Sequence, residues 1–157
     1  MPAETILTQT PKVAIWEGTT LRRGDKAPRQ ARLAINLWLA DDHSSIRSNA
    51  LLVVSELVTN VIQHVPAGPQ RNWIKVQLGF GDGFIRLTVI DPGTSKPEPR
   101  FTPLQEGSME LSGRGLGLVS VLSVRCGTHL TLCGHRVVWA DLANADALPG
   151  DAERLSS

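Results

Sequence analysis

The sequence has few cysteines and little net charge, and these two shortages exclude several classes of protein. Its 157 residues include only two cysteines, Cys126 and Cys133. Two thiols are too few for the disulfide framework of a small secreted domain, and they lack the paired spacing of a zinc site. The formal net charge is +1. Because the one basic stretch, residues 21–32, is modest, direct nucleic-acid binding is not favoured.

The chain also lacks long apolar runs, internal repeats and a leader pattern. No apolar stretch approaches the roughly 20 residues that span a bilayer. The N-terminus has no charged start followed by a hydrophobic core. We therefore expect a cytoplasmic protein without membrane contact. The length is that of about one ordinary domain, which we place at residues 11–143, with flexible ends at 1–10 and 144–157.

The hydrophobic pattern predicts alternating strands and helices. We predict strands over residues 13–17, 73–79, 84–90, 128–133 and 136–142, and helices from Asp25 as N-cap through Trp38, from Ser44 or Ser45 to about Val65, and over 116–124. This order indicates an α+β, two-layer sandwich in which a mixed, largely antiparallel sheet packs against helices. Residues 91–112 contain four prolines. So long a connection is typical of a functional lid.

The helix that ends near Val65 is polar where a core-facing helix is normally apolar. Glu56, Asn60 and His64 follow one another at i, i+4 steps and therefore share one face. Asparagine is a mediocre helix former because its short amide competes with the backbone for hydrogen bonds. A lone Asn60 would be interpreted as a solvated helix residue. On a face shared with a carboxylate and an imidazole, something else should justify it.

Two glycine-containing segments complete the pattern. Asp91 closes a strand and is followed by Pro92 and Gly93. Three further glycines stand immediately before an apolar, helix-like stretch, at positions 113, 115 and 117. Glycine-rich helix entrances suit phosphate, since backbone amides point at the anion and glycine permits close approach. No Gly-Lys-Ser or Gly-Lys-Thr sequence ends the motif, which excludes a Walker-type P-loop.

Three segments in this order, SELVTN at 55–60, DPG at 91–93 and GRGLGL at 113–118, resemble the nucleotide-binding boxes of one ATPase superfamily. Gyrase, histidine kinases, a heat-shock chaperone and mismatch-repair ATPases share that superfamily. Box order and chain length are most similar to the anti-sigma factor serine-protein kinases, which are standalone histidine-kinase-like ATPase domains. The resemblance covers about residues 25–142, including the closing strand RVVWADL. It implies a lid over a site for ATP and Mg²⁺.

The resemblance also implies roles for individual residues. Glu56 would be the catalytic carboxylate, Asn60 would give its amide oxygen to Mg²⁺, and Asp91 would accept a hydrogen bond from the adenine amine. Gly93 would let the backbone pass close to the base. The phosphate contacts would fall on the third box, which comprises Gly113, Arg114, Gly115, Leu116 and Gly117.

Some of these roles have alternatives. His64 could approach the phosphates or favour the helix C-terminus as a cation, and Arg114 could contact phosphate or solvent. Either Lys96 or Arg100 could reach phosphate when the lid closes. After Gly93 the chain departs from the family pattern, since Thr94 and Ser95 stand where a second glycine is expected.

The implied function is that of an ATP-binding anti-sigma factor, which sequesters a sigma factor and phosphorylates an anti-anti-sigma partner on serine. The alternative is a non-catalytic ATP-binding module that sequesters a protein partner. A nucleic-acid regulator is a third and less favoured hypothesis. Family members commonly form homodimers through the first helix and an edge strand. Trp16 and Trp38 suit such a contact, although core packing explains them equally well.

Overall fold

The computed structural model describes residues 12–39, 44–94 and 111–144, with the backbone alone at 44 and 111–115. The described elements are β1 (Val13–Arg22), α1 (Ala27–Trp38), α2 (Ser44–His64), β2 (Trp73–Gly81), β3 (Phe84–Asp91), α3 (Leu111–Leu122), β4 (Arg125–Leu130) and β5 (Arg136–Ala143). The predicted flexible ends, apart from Asn144, and most of the predicted lid, with Lys96 and Arg100, lie outside the described residues.

The described strands form one sheet in the order β1-β2-β3-β5-β4. Every neighbouring pair is antiparallel. The predicted α+β sandwich is therefore confirmed, and among the described strands the sheet is antiparallel throughout rather than mixed. No helix in the described part of the chain is long and apolar enough to cross a membrane.

One face of the sheet carries the core and packs against the helices. Along β3 the fully buried side chains are Ile85, Leu87 and Val89, which join the same cluster as Leu57 and Val58 of α2. Successive side chains of a strand point to opposite faces. The last residue of β3, the fully buried Asp91, therefore lies on the helix side of the sheet.

Two predicted boundaries near the N-terminus were wrong. The N-cap of α1 is Lys26, with no capping side-chain hydrogen bond, and a proline lies in the first turn. That proline rather than Asp25 sets the start, because its fixed φ suits the first helical positions. β1 continues to Arg22 instead of ending at Glu17, because it pairs with β2 along its whole length.

The C-terminal end of α2 is held by Arg23, the residue that directly follows β1. Arg23 donates from Nη2 to the carbonyl of Ile62 at 2.8 Å and from Nη1 to the carbonyl of Val65. The last four carbonyl groups of a helix receive no hydrogen bond from an N–H group of the same helix. Arg23 thus satisfies one of them, that of Ile62, together with the carbonyl of Val65 just beyond the helix, and it anchors the helix that carries Glu56, Asn60 and His64.

Candidate functional site

The polar face of α2 contains a mostly buried asparagine whose amide has no hydrogen-bond partner. Asn60 is only 7% exposed, and Glu56 and His64 are half-buried. No hydrogen bond to the Asn60 side chain occurs in the part of the chain that the structure describes, and its amide atoms are not among the fully buried polar atoms that lack a partner. The amide is therefore available to a ligand.

The chemistry of this amide fits the implied Mg²⁺ ion. Magnesium takes oxygen ligands, keeps several waters and is usually held by one or two protein groups together with substrate phosphates. The side-chain oxygen of Asn60 meets that requirement. Among the described residues, no group of three or more His, Cys, Asp or Glu could hold a metal ion.

Asp91 ends β3 with both carboxylate oxygens engaged by the chain itself. The amide of Gly93 donates to Oδ1 at 2.7 Å, and Nε of Arg136 donates to Oδ2 at 3.1 Å. A carboxylate offers about four lone-pair sites. Lone pairs therefore remain on Asp91 for the predicted contact with the adenine amine, and the side chain itself is fully buried in this structure.

Arg71 joins the end of α2 to the turn after β3. Its Nε donates to the carbonyl of Pro66 at 3.0 Å, and its Nη2 donates to the carbonyl of Gly93. A cavity of about 400 Å³ opens at this junction. Its lining residues are Pro66, Arg71, Pro92, Gly93, Thr94 and Gly134. The connection that follows α2 and the turn that follows Asp91 thus meet at one cavity, whereas Glu56, Asn60, His64 and Asp91 are not among its lining residues.

The third box lies differently from the prediction. The sequence predicted that α3 begins at Leu116, but it begins at Leu111, so the glycines lie inside its first two turns. Only the first four N–H groups of a helix lack an intrahelical acceptor. The amide of Gly113 is therefore free for phosphate, whereas those of Gly115 and Gly117 are not. Leu116 is buried in the core, and the side chain of Arg114 lies outside the described part.

A second cavity, of about 590 Å³, lies on the sheet face away from the helices. Its lining residues are Trp16, Gln77, Arg86, Thr88, Ile90, His129, Val137 and Trp139. None of the predicted site residues belongs to it. The smaller cavity is therefore the candidate site, because Gly93 lines it together with Pro92, the neighbour of Asp91.

A family comparison agrees with this geometry. The model of the histidine kinase-like ATPase domain matches residues 25–137. The chain belongs to this family. The match covers all three boxes of the histidine kinase-like ATPase domain and supports ATP binding and a kinase-like regulatory role. No curated protein matches the chain.

Sequence reasoning missed two arginines of this ATPase domain, Arg71 and Arg136. Arg136 had a signal, since alternation along the predicted strand places it on the same face as Val138, Ala140 and Leu142. An arginine in line with core residues needs a buried carboxylate. Arg71 had no such signal, because it lies in a connection without periodicity.

Gly93 should tolerate substitution poorly. It adopts φ +85°, and a Cβ added there would lie 2.4 Å from the carbonyl oxygen of Gly134. We expect Gly93→Ala to lower the free energy of unfolding by about 3 kcal/mol or more, from backbone strain together with this clash. Urea unfolding measures the change.

Gly134→Ala is the matched control for this prediction. Gly134 has φ +84°, but a Cβ there would meet nothing within 4 Å. Only the backbone strain remains, so the expected loss is about 1–2 kcal/mol. Equal losses in the two variants would show that the backbone around Gly93 yields without cost.

Proposed function

We propose that this chain is an ATP-binding anti-sigma factor with serine-protein kinase activity. It sequesters a sigma factor and phosphorylates an anti-anti-sigma partner on serine. One observation carries the nucleotide part of the proposal: the unpartnered amide of Asn60, a residue only 7% exposed, lies one turn from Glu56. Arg71 ties the connection after this helix to the turn that follows Asp91. Family membership supports the kinase-like role.

Each side chain has a separate task in the proposed reaction. Asp91 accepts a hydrogen bond from the adenine amine and so selects the base. The amide oxygen of Asn60 would hold Mg²⁺. When bound, that ion neutralises charge on the phosphates. Glu56 accepts the proton of the attacking serine hydroxyl and orients that hydroxyl. Phosphoryl transfer needs mainly positioning and charge neutralisation, so few protein groups suffice.

The proposed protein partners need apolar surface, and the first helix and edge strand provide it. Leu33 and Leu37 of α1 are 59% and 82% exposed, and Ile15 and Trp16 of β1 are 61% and 46% exposed. Trp38 packs against the core instead. Leu33, Leu37 and Ile15 support the proposed homodimer through α1 and β1, whereas Trp16 lines the cavity on the opposite face of the sheet.

Calorimetric titration with ATP and Mg²⁺ tests the site. We expect Asn60→Ala and Asp91→Asn each to weaken ATP binding by about 10- to 100-fold. This is the expected effect of losing one metal ligand in Asn60→Ala and one hydrogen bond to a charged acceptor in Asp91→Asn. The loss in Asn60→Ala should shrink when Mg²⁺ is omitted. Gln63→Ala is the control, since Gln63 is exposed on the same helix. Absence of binding to the wild-type protein would indicate a degenerate, partner-binding version of the fold.

A further inference from the structure

Arg136 is an arginine inside the core. It pairs in register with Asp91 across β3 and β5, and it is 4% exposed. Its Nε lies 3.1 Å from Oδ2 of Asp91. The guanidinium therefore fixes one oxygen of the carboxylate, and the amide of Gly93 fixes the other.

This ion pair leaves one strong donor unused. Nη2 of Arg136 is buried and has no hydrogen-bond partner within the described residues. Buried pairs can often be replaced by apolar residues without loss of stability, so fold stability alone does not account for a pair that leaves a donor unsatisfied. A ligand that brings both a donor and an acceptor to this place would satisfy Asp91 and Arg136 together.

We propose that Arg136 is a positioning residue for base recognition, an inference that rests on the proposed ATP binding. Arg136 holds Asp91 so that one lone pair of the carboxylate faces the amino group at C6 of the base. Nη2 of Arg136 donates a hydrogen bond to N1, the ring nitrogen next to C6. The ligand class is a purine nucleotide with an amino group at C6. In that class a donor and an acceptor are adjacent, as this pair requires.

The test compares ATP with purine riboside triphosphate, which lacks the C6 amine. Calorimetry on the wild-type protein should give ATP a preference of about 10-fold or more, the value of a hydrogen bond to a charged acceptor. In Arg136→Met the preference should fall to about 2-fold or less. Circular dichroism melting confirms that each variant is folded.

A second variant and a control make the comparison decisive. Arg136→Lys keeps the charge beside Asp91 but removes the flat guanidinium that fixes its orientation, so its preference for ATP should also fall. This variant decides the question if Arg136→Met does not fold. Arg86→Met should keep the wild-type preference, because Arg86 pairs with Asp141 from the same two strands on the opposite face.

Two outcomes would overturn the inference. The first is an unchanged preference in both Arg136 variants, whether the two affinities stay the same or fall by the same factor; an equal fall indicates a structural role only. In either case wild-type ATP binding would leave the proposed function intact. A wild-type protein that binds neither nucleotide would contradict the proposed function and this inference with it.

Discussion

Replacing Glu56 with glutamine is expected to lower phosphate transfer to a serine-bearing partner by about 10²- to 10⁴-fold, the usual contribution of a general base. ATP affinity should change by less than about threefold, because a transition-state contact contributes little to ground-state binding. Glutamine keeps the shape of the side chain but cannot accept the serine proton. Glu56 is half-buried and has no ion-pair partner in the described chain, so its carboxylate is available for this role.

The measurement is transfer of labelled γ-phosphate from ATP to an anti-anti-sigma partner isolated by co-purification. Calorimetry on the same preparations supplies the ATP affinity. Glu17→Gln is the matched control, because Glu17 is an exposed residue of β1. Equal transfer by wild type and Glu56→Gln would remove Glu56 from the mechanism. Wild-type ATP binding without any transfer would favour the non-catalytic regulatory module.

The strands that carry the site could be predicted because they are locally encoded. Alternation over 84–90 and 136–142 gave β3 and β5 to within one residue of their observed ends. The same alternation continues into Asp91 and places its carboxylate on the core side. Asn60 could be singled out by its chemistry, because the short amide of an asparagine inside a helix competes with the backbone for hydrogen bonds.

The start of α3 could not be predicted, because tertiary packing overrides local propensity there. Glycine disfavours helix interiors by roughly 1 kcal/mol relative to alanine, so the sequence indicated that the helix begins after Gly115, at Leu116. In the structure α3 packs against α2, with Leu116 and Val119 in the core. That burial stabilises the helical turns that contain the glycines.

The ion pair of Asp91 with Arg136 also required the three-dimensional structure. The two residues are 45 positions apart, and only the register of β3 against β5 makes them opposite. Register between strands separated by a helix and a long connection is not encoded by either strand alone. The sequence could indicate an inward arginine, but not which carboxylate it meets.

A second buried carboxylate, Asp141, holds the other face of the same strands together. Its side chain is fully buried. Arg86 donates to it from Nε at 2.7 Å and from Nη2 at 2.8 Å, and Arg125 donates from Nε at 2.9 Å. The guanidinium of Arg86 also stacks on the ring of Trp139, 4.4 Å from its centroid.

We expect Asp141→Ala to lower the free energy of unfolding by about 3–5 kcal/mol, since it leaves a buried guanidinium without its carboxylate. Arg86 is the arginine whose charge would be left buried and unpaired, because its side chain is 13% exposed whereas that of Arg125 is 41% exposed. Arg125→Ala is therefore the control, with an expected loss of about 1 kcal/mol or less. Urea unfolding measures both.

Removing both partners separates the cost of an orphaned charge from the value of the pair. The double variant Arg86→Met with Asp141→Leu removes both buried charges beside Trp139. The remaining partner, Arg125, is 41% exposed and can turn to solvent. Apolar replacements of a buried pair are often neutral, so the double variant should lie within about 2 kcal/mol of wild type and above Asp141→Ala. If Asp141→Ala loses no more than Arg125→Ala, solvent reaches Arg86 and the network acts like a surface ion pair. If the double variant is no more stable than Asp141→Ala, the direct value of the ion pair is what holds β3 to β5.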